Sequence, residues 1–129
     1  MTDINKILDM LDWNMSPEVQ ADGIVLAKSI GTITPFILPL SPQYNKNVWK
    51  NCAIVIAEKS DEELKPHLTQ LLEWIRDVNW PGAFRILDRL HTYSDKDTIR
   101  CAIYACLEKA KRSNDEIWAY NLNSILFGE

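Results

Sequence analysis

The chain has 129 residues, 47% of them hydrophobic and 25% charged, and a formal net charge of −4. This composition excludes a disordered or fibrous chain, and the length suits one domain, residues 1–129, around one core. The charge argues against direct nucleic-acid binding, because neutralising phosphates takes a cluster of Lys and Arg that the chain lacks.

Apolar spacing predicts a first helix over 3–13. Ser16-Pro17 opens a second over 17–30, with a capping hydroxyl before a proline at the first helical position, where its missing N–H costs nothing. Val19, Gly23, Leu26, Ala27 and Ile30 form the buried stripe of that helix. From Gly31 to Tyr44 the prolines Pro35, Pro39 and Pro42 forbid a regular helix, although Ile33, Phe36, Ile37 and Leu40 are placed to pack a short turn onto the core.

A third helix over 46–59 is nearly apolar from Cys52 to Ala57 and should be buried on most sides, Trp49 included. Ser60-Asp61-Glu62-Glu63 fits a capping box at the start of a helix over 61–78, in which Pro66 forces a kink or restart before His67. Leu64, Leu68, Leu71, Leu72, Ile75 and Val78 make its apolar stripe. The last helices are expected over 81–92, 95–112 and 115–126, the final two opened by Ser94 and Ser113. Their core residues are Ala83, Ile86, Leu87 and Leu90, then Ile99, Ala102, Ile103, Cys106 and Ala110, then Trp118, Asn121, Leu122 and Ile125.

No segment alternates as a strand does, so the fold class is all-α. Setting Pro17 over Pro81 aligns Ile7-Leu8-Asp9-Met10-Leu11 with Leu71-Leu72-Glu73-Trp74-Ile75, a helix-turn-helix unit recurring at an offset of 64 residues. The expected architecture is a stack of antiparallel helical hairpins, a HEAT-like α-solenoid of about seven helices, with an irregular helical bundle as the alternative.

Catalytic chemistry finds no foothold. His67 and His91 lie on different helices without partners at metal-ligand spacing, Cys101 and Cys106 point to different sides of one helix, and no nucleophile elbow or phosphate loop occurs. No catalytic residue, metal or cofactor is therefore expected. No apolar run reaches the roughly 20 residues of a membrane span, and the N-terminus lacks a signal pattern. With an odd number of cysteines, Cys52, Cys101 and Cys106, these features lead to the expectation of a reduced, cytoplasmic protein.

The charge is uneven: residues 1–80 hold 7 Lys/Arg against 11 Asp/Glu, whereas residues 81–129 hold 7 of each. Asp61, Glu62 and Glu63, together with Glu73 and Asp77, are the expected acidic partner-binding set. Trp13 and Trp80, near helix ends, are the expected interface anchors, since an indole brings a large contact area and one donor.

The stretches Leu11-Asp12-Trp13-Asn14, Asn45 to Ala53 and Leu71 to Ala83, above all the Leu71-Leu72-Glu73-Trp74 and Asn79-Trp80-Pro81-Gly82-Ala83 blocks, resemble an uncharacterised family of small bacterial proteins with HEAT-like repeats. The resemblance covers residues 3 to about 112. It implies an immunity protein of a toxin system, with no catalysis and no transferable site residues. The expected role is thus to bind a cognate toxin, a basic nuclease domain, and occlude its active site, as a monomer or weak oligomer. The alternative is a peptide-binding or scaffolding helical-repeat adaptor.

Cys106 lies on the Ile99, Ala102, Ile103 stripe and Cys101 on the opposite side. Cys101→Ser should leave the thermal midpoint unchanged, while Cys106→Ser should lower it by inserting a hydroxyl among apolar groups.

Overall fold

A computed structural model describes residues 4–37 and 46–127. Eight α-helical segments run in order: α1 (Ile4–Met10), α2 (Pro17–Lys28), α3 (Trp49–Ala57), α4 (Asp61–Leu64), α5 (Leu68–Trp74), α6 (Ala83–His91), α7 (Lys96–Arg112) and α8 (Glu116–Leu126). The described residues contain no strand. A 3-10 turn over Lys65–His67 joins α4 to α5, so the two form one bent segment and the described helices number seven in that sense. Pro66 produces this bend, because proline removes an N–H from the helical ladder and crowds the preceding turn.

Local signals set the helix ends. The Ser16 hydroxyl accepts from the Val19 N–H, and Ser60 and Glu63 form the reciprocal capping box. Two expected caps move. Asp95, not Ser94, caps α7 by accepting from the Thr98 N–H, and Asp115, not Ser113, caps α8 by accepting from the Trp118 N–H. Ser113 instead closes α7, and Asn114 follows at φ 55° so that the Asp115 N–H reaches back to the Ala110 carbonyl at 2.8 Å.

The helix expected over 61–78 stops at Trp74. The Asp77 carboxylate accepts from the Asn79 N–H at 2.8 Å, and Gly82 takes φ 82°, a left-handed backbone that glycine adopts without strain. A Cβ at Gly82 would sit 2.6 Å from the Ala53 Cβ, so the turn also presses directly on α3.

One hydrophobic core runs from Ile7 to Ile125. α2 packs on α1 and α3, α3 on α6, α6 on α5 and α8, and α7 on α5 and α8. Trp49, Cys52, Cys106 and Trp118 are buried as their stripes require, Cys101 is exposed, and Ile33, Phe36 and Ile37 seal the core beside α3. Leu40 lies outside the described residues. Leu26 does not join the stripe of α2 but stays exposed, because α1 crosses at Gly23, where a Cβ would meet the Met10 Cβ at 2.8 Å.

Two buried amides tie the ends of helices. Asn51 Nδ2 donates to the Leu11 carbonyl at 2.7 Å and to Gln20 Oε1 at 2.9 Å, while Asn121 Nδ2 donates to the Ile75 carbonyl at 2.8 Å. Leu11 and Ile75 are the very residues aligned by the offset of 64. The ends of α1 and α5 are therefore satisfied by the same chemistry, from α3 and α8 respectively. The Trp118 indole N–H adds a bond to the Leu72 carbonyl at 3.0 Å.

Asn51→Ala or Asn121→Ala leaves a buried carbonyl without its donor and should cost about 1–3 kcal/mol. Chemical denaturation of each variant measures this, and losses of similar size at both sites are expected.

Candidate partner-binding surfaces

The expected acidic set is mostly spent inside the fold. Asp61 Oδ1 accepts from Arg89 at 2.7 Å and Oδ2 from the Ser94 N–H at 2.9 Å, tying the start of α4 to the link between α6 and α7. The Ser94 backbone bond, followed by the Arg89 contact, holds the Asp61 carboxyl below its ordinary range. Glu63 is likewise held low, chiefly by the Ser60 N–H that it caps. Glu73 pairs with Arg76 at 3.3 Å and Lys109 at 3.4 Å, and Asp77 is occupied by its turn. Only Glu62 is exposed with no ion pair among the described residues.

Nor do these carboxylates lie close together. Asp61 meets Ser94 just before α7, whereas Glu73 meets Lys109 near its far end, a separation of about 20 Å at the helical rise.

The tryptophans behave differently. The Trp13 N–H donates to the Asn47 carbonyl at 3.1 Å, and the Trp80 ring meets Trp49 edge-on at 5.6 Å, with the Lys46 ammonium 5.9 Å from its centroid. Trp13 and Trp80 thus flank the same turn, Lys46–Val48. Trp13 is 44% exposed, while Trp80 is half-buried against the core. Trp74, also close to a helix end, is fully buried and donates its indole N–H to the Pro81 carbonyl. The Trp49 indole N–H is buried without a partner among the described residues.

Around Trp13 lies an acidic surface of another origin. Residues 7–27 contain Asp9, Asp12, Glu18 and Asp22 and no Lys or Arg. Asp9, Glu18 and Asp22 are exposed and form no ion pair among the described residues. Asp12 accepts from the Asn14 N–H at 2.8 Å, in the same kind of turn that Asp77 makes.

At the other end of the molecule an open groove of about 1080 Å³ runs between α6, α7 and α8. Phe84, Tyr120 and Phe127 stand on its rim with 62%, 76% and 74% of their surface exposed. They fall outside the buried stripes, so periodicity alone does not single them out. Among the described residues, no group of three or more His, Cys, Asp and Glu could hold a metal ion. No described helix is long and apolar enough to cross a membrane.

The comparison that decides the family matches residues 50–127 to a domain of unknown function, DUF5071. The chain belongs to that family. The match spans α3 to α8 and contains the Leu71-Leu72-Glu73-Trp74 and Trp80-Pro81-Gly82-Ala83 blocks, while Trp13 lies outside it. No curated protein and no solved structure matches the chain.

Asp61→Asn should destabilise the protein by about 1.5–3 kcal/mol, the usual range for hydrogen bonds to a charged group. Because the folded carboxyl titrates below its unfolded value, its contribution is fully present above about pH 4 and is lost as the pH falls through the folded value. Melts from pH 7 down to about pH 2 should show the gap between wild type and variant closing only at the acid end.

Proposed function

We propose that this DUF5071 protein is a non-enzymatic, immunity-type binding protein that docks a basic partner protein through the α1–α2 end of its helical stack. The observation that carries the reading is the exposed Trp13 within a stretch, residues 7–27, that bears four carboxylates and no cation. Exposed like charges create a field that steers a cationic surface into encounter. An aromatic side chain that keeps nearly half its surface in water then has area left to bury on contact.

The architecture that presents this end is read as stacked hairpins in the HEAT-like manner, with α1 on α2 and α7 on α8. α3 and α6 connect these pairs through the core. The matching amide bonds at Leu11 and Ile75 support this repeat reading. The toxin identity of the partner rests on the sequence resemblance, and its meeting in the cytoplasm on the free thiols Cys52, Cys101 and Cys106. Relative to the sequence expectation, the acidic element moves from Asp61, Glu62, Glu63, Glu73 and Asp77 to Asp9, Glu18 and Asp22, which are free to face a partner, while Trp13 and Trp80 remain together.

The test is surface plasmon resonance against the partner co-purified from the native host, at two salt concentrations. Asp9→Asn/Glu18→Gln/Asp22→Asn should slow association about tenfold at low salt and flatten its salt dependence. Trp13→Ala should speed dissociation by roughly thirtyfold, the size of an interface anchor. The carboxylate variant should melt as the wild type does, while Trp13→Ala, which gives up the covered half of the ring, should melt lower but stay folded at the temperature of the binding assay. Binding insensitive to salt and to these carboxylates would sink the acidic-end model and return the reading to a peptide-holding adaptor.

A further inference from the structure

The outward face of α8 is apolar and nearly free of charge. Ile117, Tyr120, Ser124 and Phe127 follow one another at spacings of three and four residues along one stripe. Ile117, Tyr120 and Phe127 are 68%, 76% and 74% exposed. Between Glu116 and Leu126 the helix carries no charge except Glu116 itself. Charged side chains normally hold an exposed helix face in water, and here they are missing.

This stripe cannot swing inward. The Trp118 indole N–H is bound to the Leu72 carbonyl and the Asn121 amide to the Ile75 carbonyl, both buried. Those two residues, with Leu122 and Ile125, mark the inner stripe, and the outer one lies about 130° around the helix from it. Rotating α8 to hide Tyr120 and Phe127 would strip two buried carbonyls of their donors, which is a heavier loss than leaving the rings in water.

We infer that a second copy of this chain covers this face, with the two α8 helices antiparallel across a two-fold axis. Ile117 of each copy then meets Phe127 of the other, Tyr120 meets Ser124, and Phe84 closes the contact from α6. Charge chooses the direction. Lys96 and Arg100, at the start of α7, line the groove together with Asp88 and with Phe127 at the end of α8; Arg100 also pairs with Asp97 at 3.0 Å, whereas Lys96 forms no ion pair among the described residues. An antiparallel pair sets the exposed Glu116 of one copy toward these cations of the other, whereas a parallel pair would oppose Glu116 to itself. A two-fold contact is self-complementary by construction and closes without leaving an open end.

The area is sufficient. At about 200 Å² per large side chain, the exposed fractions of Phe84, Ile117, Tyr120 and Phe127 give roughly 550 Å² per copy and about 1,100 Å² across the pair. Specific interfaces begin near 1,000 Å², so the expected dimer dissociates in the micromolar range.

Sedimentation equilibrium of the purified chain alone, up to about 500 μM, tests this independently of any toxin. The wild type should reach twice the chain mass of 14.9 kDa. Tyr120→Glu, at a site with room for any side chain, should shift the midpoint at least tenfold upward in concentration without changing the melt. Glu116→Lys should weaken the dimer, and Lys96→Glu/Arg100→Glu added to it should restore it. Under mild oxidation, and with the exposed Cys101 replaced by serine, an Ile117→Cys/Phe127→Cys variant should give a covalent dimer that reduction dissolves. A wild type that stays monomeric throughout overturns the inference and leaves the face to a different protein or a small apolar ligand. A dimer indifferent to Tyr120→Glu overturns it as well, because the contact then lies elsewhere. Neither result touches the partner-binding role of the Trp13 end.

Discussion

The last carbonyls of a helix have no partner within it, and in this protein two helices end inside the core where water cannot serve. α1 and α5 both finish beneath other helices, and the Leu11 and Ile75 carbonyls are met by the Asn51 and Asn121 amides. A buried amide bond of this kind has a narrow geometry, so it fixes more than a helix end. It sets α3 over the turn between α1 and α2, and α8 over the turn between α5 and α6. From there the packing order follows, with α3 against both α2 and α6, and α8 against both α6 and α7. Lys59 serves the end of α2 similarly, its buried ammonium donating to the Lys28 and Ile30 carbonyls.

The same need for internal partners decides which charges face outward. Asp61 with Arg89, and Glu73 with Lys109, stitch α4 to α6 and α5 to α7, while Glu73 also meets its neighbour Arg76. Each such pair draws a carboxylate away from solvent and from any encounter with another molecule. What remains exposed divides the molecule by chemistry. The α1–α2 end is acidic and carries one accessible indole, while the α8 face is almost uncharged and aromatic. The first suits long-range attraction and the second suits short-range burial, and these surfaces lie on opposite parts of the helical order.

Much of the fold was legible because helical period and burial are the same signal. The stripes through Leu64 to Ile75, Ala83 to Leu90 and Ile99 to Ala110 all face the core, and Pro66 bends its helix where proline chemistry requires. Local rules failed where two candidates competed. Ser94 and Asp95 can each cap a helix, as can Ser113 and Asp115, and only the tertiary positions of the following helices choose the aspartates. The candidate site was less legible, for a physical reason. Whether a carboxylate is free depends on partners far along the chain, such as the Arg89 that reaches Asp61 across 28 residues. An exposed aromatic stripe has the same period as a buried one, so that Phe84, Tyr120 and Phe127 face water emerges only when the helices around them are in place.

The thiols make the protein a reporter of its own conformation. Burial pushes the Cys52 thiol up and the Cys106 thiol up to about 11, so neither offers a thiolate at neutral pH, and both are walled off from reagents. Cys101 stands in water on the outer side of α7. A maleimide dye added to the native chain has one natural attachment point there, without any engineered residue. When the core opens, that number rises to three. Counting labels by mass on a pulse-labelled sample would thus read directly what fraction of molecules had come apart at that instant.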